Sequence, residues 1–316
     1  MVETISNLAK GAKSPRRIWS IGGGKGGTGK TFIAANLGLL LSENHLRVNM
    51  IDADLGAPNL HTFLGVRKPH LTLGDFIYKK GGTLAEVMSD TCRPGLKLAA
   101  GSNQHLYMAN LRYFQKLKLL RHIKKLNHGH TIIDTGGGIY FNGLDFFPIS
   151  DLGVLVINPD PASIENAYQF LRSVTLRILK FSVREHEIDA LIKRTVEGRH
   201  RVPKSIQGLL ELVHSEDPNS AELLVEALAK IRPCLIINKA RREDDALLGK
   251  SIVDVVRKYL AIDLRFVGTV PYDENVSLSL RNLTPYVSAH PHSKATYVLR
   301  VIADRLLSSE SVGRLN

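Results

Sequence analysis

Residues 24–31 read Gly24-Lys25-Gly26-Gly27-Thr28-Gly29-Lys30-Thr31, an unbroken fit to the phosphate-loop pattern G-x-x-x-x-G-K-[ST]. The apolar run RIWSI (17–21) stands before it, and a helical pattern runs on from Lys30 to about residue 42. Strand, glycine-rich turn and helix are the opening of a nucleotide-binding unit. The glycines let backbone N–H groups turn toward phosphate oxygens. The helix N-terminus adds its positive dipole end. Lys30 brings a point charge to the β- and γ-phosphates, the Thr31 hydroxyl is a ligand for Mg²⁺, and Phe32 follows beside the nucleotide.

Further apolar runs lie on the C-terminal side. Residues 48–51 (VNMI), 96–99, 131–133 (TII), 152–157 (LGVLVI), 234–237 (CLII) and 264–270 read as strands. Helical patterns cover 103–126, 163–180, 244–259 and 294–307, the last packed on the sheet. In the first of these, Leu111, Phe114, Leu117, Leu120 and Ile123 recur at helical spacing. Strands alternating with helices predict an α/β fold, a doubly wound and mostly parallel sheet flanked by helices. Residues 183–232 break the alternation and read as a helical insertion, with Asp217-Pro218-Asn219-Ser220 as turn and cap. The expected organisation is a lead-in over 1–16, one ATPase-type domain over 17–309 and a tail over 310–316.

Acidic groups appear where a phosphate site needs them. Asp52 and Asp54 follow the second strand and, two residues apart, face the same side. Asp134 closes the apolar strand TII, the Walker B arrangement for a carboxylate that holds Mg²⁺ through water. The glycines Gly136, Gly137 and Gly138 behind it suit a loop that changes shape when it meets a γ-phosphate.

Composition narrows the class. The 316 residues are 44% hydrophobic and 23% charged, which excludes a largely disordered chain. No apolar run reaches the roughly 18–20 residues of a membrane span. The first 17 residues lack the apolar centre of a secretory signal. Two cysteines, Cys92 and Cys234, form no Cys-x-x-Cys pair, which speaks against an iron–sulfur cluster and fits a cytoplasmic location. The formal charge of +12 suggests an anionic partner. Part of the excess is local: residues 91–133 contain no Asp or Glu but carry Arg93, Lys97, Arg112, Lys116, Lys118, Arg121, Lys124 and Lys125. The expected helix there is either a solvated outer face or a surface for acidic lipid or DNA.

The second lysine of KGGTGKT, Lys25, resembles the signature lysine of the MinD/ParA ATPases, the deviant Walker A family of the SIMIBI class. The resemblance implies an ATP-dependent homodimer in which Lys25 contacts the partner's nucleotide and aids catalysis with Lys30. D-A-D-L-G-A-P-N (52–59) resembles the family's D-x-D-x-G-x-x-N segment. It implies that Asp54 orients the attacking water and, with Asp52, supports the Mg²⁺ shell. Asn238 resembles the family's base-recognition Asn, and V-P-Y-D (270–273) its second base wall, through Pro271 and Asp273. Gly136, where many members have Pro, is similar to the FlhG/FleN branch of flagellar-number regulators. That branch implies a slow, partner-stimulated ATPase that positions or counts a cellular structure, peripheral at the inner face of the membrane. A ParA-type partition ATPase on DNA is the alternative. Residues 1–17 lack the branch's D-Q-A-x-x-L-R segment, and 308–316 lack a basic-apolar membrane helix.

Overall fold

Every apolar run named above becomes a strand of one sheet. In a computed structural model, residues 16–78, 82–102, 111–126, 129–137, 141–182 and 205–312 are described. The strands are β1 (Arg17–Gly22), β2 (Val48–Asp52), β3 (Ser89–Asp90), β4 (Leu96–Ala99), β5 (His130–Asp134), β6 (Leu152–Ile157), β7 (Cys234–Ala240) and β8 (Arg265–Pro271). They lie in the order β3-β4-β2-β5-β1-β6-β7-β8. All neighbours pair in parallel except β3, which runs antiparallel to β4. The main helices are α1 (Lys30–Glu43), α2 (Tyr113–Lys125), α3 (Pro161–Ser182), α4 (Ile206–Glu216), α5 (Pro218–Ala229), α6 (Asp245–Leu260) and α7 (Lys294–Val312).

Successive strand residues point to opposite faces, so both faces need an apolar cover. On one face, Met50, Ile132, Val154 and Ile236 meet Leu37 and Leu41 of α1 and Leu299, Ile302 and Leu306 of α7. On the other, Ile51 and Ile133 meet Leu119 and Ile123 of α2. On that same side Leu155, Ile157, Leu235 and Ile237 meet Phe170 and Val174 of α3 and Leu260 of α6. Helices α4 and α5, the described part of the expected insertion, extend this second layer through Leu210 and Leu224. Asp217 caps α5, its Oδ1 accepting from the amides of Asn219 and Ser220 at 3.1 and 3.2 Å.

Two expectations need correction. The helix foreseen over 103–126 begins at Tyr113, since Leu111 and Arg112 are not helical and 103–110 lie outside the described residues. The Arg112 amide donates to Gln115 Oε1 at 2.9 Å and closes the first turn. Phe114 is not on the buried stripe: it is 80% exposed, and Leu119 and Ile123 make the core contact. Phe114 lies on the side of α2 turned away from those two residues.

Candidate nucleotide site

The phosphate loop joins β1, in the middle of the sheet, to α1. Gly29 sits at the α1 N-cap with φ 89°, a left-handed backbone that a glycine adopts without strain. The Ile33 amide then bonds the Gly29 carbonyl at 3.0 Å and the helix proceeds. Lys30 is buried, folded back into the loop, with Nζ donating to the Lys25 carbonyl at 2.8 Å and to Thr28 Oγ1 at 3.4 Å. Burial pulls its ammonium below the ordinary lysine value, against the opposing pull of Asp134 and Asp54.

The acidic residues come together through strand register. β2 and β5 are paired so that Asp52 and Asp134 stand side by side at their C-terminal ends. Both are fully buried. Asp52 Oδ2 accepts from the Leu60 amide at 3.0 Å, while Asp52 Oδ1 and both Asp134 oxygens make no full hydrogen bond. Burial, then repulsion from Asp134, drives the Asp52 carboxyl well above its usual value. Burial pushes Asp134 up to about 6, although the Thr31 side chain, Lys30 and the Gly136 amide pull it the other way. Asp54 is half-buried, and its Oδ1 accepts from the Ala57 amide at 3.1 Å. Gly136, with φ 70°, passes so close that a methyl there would lie 2.6 Å from Asp54 Cγ. Gly138 lies outside the described residues.

A cleft of about 450 Å³ opens over this centre, ample for a nucleotide. Gly26, Gly27, Gly29, Lys30, Thr31, Phe32 and Asp54 line it from the phosphate-loop side of the chain, with Asn238 of β7, Pro271 at the end of β8 and Asp273 just after it. Asn238 is buried with its Nδ2 bonded to the Thr28 carbonyl at 2.8 Å. Asp273 accepts from the Tyr286 hydroxyl at 2.5 Å and the Asn275 amide at 2.8 Å. Burial would raise its carboxyl, but these bonds hold it below its ordinary value. Thr28, Asp52 and Asp134 lie beneath the lining rather than in it. Gly24 abuts the Asn166 backbone of α3, and Lys25 is at the outer rim, 3.7 Å from Asp160.

Lys239 was not among the expected site residues. It holds φ 58°, and its Nζ reaches the Gly27 carbonyl at 2.7 Å. A lysine after an apolar strand carries no sequence mark of such a tether. A second hollow, of about 540 Å³, lies at the other end of the sheet between α3 and α5. Although it is larger, Phe147, Val174, Ile178 and Leu223 wall it beside Asp151, Glu226, Lys230 and Arg232, and no phosphate-binding glycine loop is among its described lining residues. The smaller cleft is the one that the phosphate-loop residues line.

The donor set fits a metal–nucleotide pair. Three orphaned buried carboxylate oxygens call for a cation, and the loop amides with Lys30 call for an anion. No group of three or more His, Cys, Asp or Glu among the described residues is placed to hold a metal alone. A cation held here would need further oxygen ligands, and the phosphates of a nucleotide would supply them, as is usual for Mg²⁺.

A family model described as the CobQ/CobB/MinD/ParA nucleotide binding domain matches residues 19–285. The antiactivator FleN of Pseudomonas aeruginosa is 26% identical over 300 residues, covering 94% of this chain and 88% of that protein. The flagellum site-determining protein YlxH of Helicobacter pylori is 31% identical over 167 residues, 51% of this chain and 54% of that one. Among solved structures, the septum site-determining protein MinD of Pyrococcus horikoshii, complexed with Mg-ADP, superposes with TM-score 0.63 at 20% identity. That match covers 96% of this chain and 100% of the other, and at such identity it speaks for the fold. With the phosphate loop, the acidic strand ends and a model match spanning most of its length, the chain belongs to the CobQ/CobB/MinD/ParA nucleotide-binding domain family.

Proposed function

We propose that the protein is an ATP-binding and ATP-hydrolysing dimerisation switch that positions or counts a cellular structure. One observation carries the reading: Asp52 and Asp134 are buried side by side with orphaned oxygens, close to a lysine folded into a glycine loop. Such an arrangement is unfavourable until a cation and an anion arrive together, and Mg²⁺-ATP supplies both. Bound between Thr31 and Asp134, Mg²⁺ would neutralise charge on the β- and γ-phosphates.

This chain's own residues do the rest. Lys30 leaves the Lys25 carbonyl and turns to the phosphates. Asp54, steadied by the Ala57 amide, orients the attacking water. Asp52 supports the cation's hydration shell. Asn238, Pro271 and Asp273 take the base. Lys25, its side chain 45% exposed and 3.7 Å from Asp160, reaches across to the nucleotide of a second copy. Because that nucleotide then contacts both subunits, ATP favours the dimer through differential binding. Phosphate release relaxes 52–59 and 134–138, and the dimer separates. Turnover is slow until a protein partner stimulates it. The positioning role is supported by the likeness to FleN and to the flagellum site-determining protein YlxH.

The test is Asp54→Ala. With ATP binding intact and water attack lost, the variant should accumulate as dimer at saturating ATP, read by light scattering. A variant that binds ATP yet stays monomeric sinks the switch.

A further inference from the structure

The part of α2 that faces away from the sheet has a composition the nucleotide chemistry does not use. Tyr113 and Phe114 are 71% and 80% exposed and stack edge to face with centroids 5.6 Å apart. Phe114, Arg121 and Lys125 follow one another at helical spacing, with Tyr113 and Lys124 on the adjoining row. Arg112, Arg121, Lys124 and Lys125 are exposed, and none pairs with a carboxylate among the described residues. Lys116 differs, being bound to buried Asp145 at 2.6 Å. Arg16, also exposed, donates to the Lys124 carbonyl and brings one more charge to that end of the helix. No acidic residue occurs anywhere from 91 to 133 to offset these cations.

We propose that this outward face of α2 is a docking surface for an anionic phospholipid bilayer. The partner must take cations and two aromatic rings on the same convex strip. Lipid headgroups take the cations, and the boundary beneath them takes aromatic bodies. Duplex DNA takes the cations but gives the rings nothing apolar unless its bases unstack. A protein partner would engage exposed aromatics with pockets, and contact would rest on shape more than on charge. No described helix is long and apolar enough to cross a membrane, so the docking is peripheral. It stands apart from the nucleotide reading: the strip is carried by α2, not by the phosphate loop, and it binds with or without nucleotide.

The full chain is sedimented with vesicles of phosphatidylcholine alone and of phosphatidylcholine with phosphatidylglycerol, at low and high salt. Pelleting is expected only with phosphatidylglycerol and should fade with salt. The double variant R121E/K125E should bind at least about tenfold more weakly, since each surface cation is worth roughly fivefold. Phe114→Ala, which leaves charge untouched, should lose about fivefold or more. ATP binding is measured on the same samples, so a failed surface and a failed nucleotide site are told apart. Unchanged pelleting of R121E/K125E, equal pelleting with phosphatidylcholine alone, or a preference for added duplex DNA would each overturn the proposal.

Discussion

Two parts of the molecule bury carboxylates, and they treat them in opposite ways. In the helical layer, Asp145 follows β5 on the short helix Phe141–Phe146 and is held by Lys116 of α2 and Arg177 of α3. Three elements are pinned by one satisfied anion. At the carboxyl ends of β2 and β5, Asp52 and Asp134 are buried more deeply yet have orphaned oxygens and each other for neighbours. The difference separates architecture from chemistry. A buried charge that exists to hold a fold is neutralised within the chain, and one that exists to meet a ligand is left wanting.

The contrast can be broken by substitution. Asp145→Ala should have the largest effect, a loss of about 3 kcal/mol in urea unfolding, because it strands two largely buried cations. If it proves mild, the clamp is ornamental. Asp134→Asn should act in the other direction. Removing the anion should stabilise the ligand-free protein by about 2 kcal/mol at neutral pH, while Mg²⁺-dependent nucleotide binding is lost. The sign follows from the raised carboxyl: the folded form takes its proton near 6 and the unfolded chain near 3.8, so this group adds stability as pH falls between them. Melting curves of the ligand-free protein should therefore show less acid sensitivity than those of Asp134→Asn over that window. A destabilised Asp134→Asn would erase the distinction between the two regions. The smallest effect belongs to the satisfied layer. The Ser205 hydroxyl caps α4 by accepting from the Gly208 amide at 3.0 Å, and Ser205→Ala should cost about 1 kcal/mol in the same assay.

Legibility in the sequence follows the same division. Strands β1, β2 and β4–β8 were readable because burial on both faces demands unbroken apolar runs such as LGVLVI and CLII. β3 was not: Ser89 and Asp90 are polar and owe their conformation to pairing with Leu98 and Lys97. The apolar positions of α2 suggested a stripe through Phe114, but packing in the folded chain buries Leu119 and Ile123 instead. The phosphate loop and its acidic strand ends were legible because their chemistry is local to short segments. Asp145 and Lys239 were not, since a tether from Lys239 to Gly27 spans 212 positions and is created by the fold.

The approach of Gly136 and Gly137 to their neighbours has one more consequence. A methyl at Gly136 would sit 2.6 Å from Asp54 Cγ, and one at Gly137 would sit 2.8 Å from the α-carbon of Gly26. Three stretches distant in the chain thus meet across a gap that admits hydrogen and nothing larger. A shift of 136–137 toward them would press on Asp54 and on Gly26 alike. Even alanine at that crossing would be a wedge, prising the Asp54 carboxylate from the glycine loop beside it.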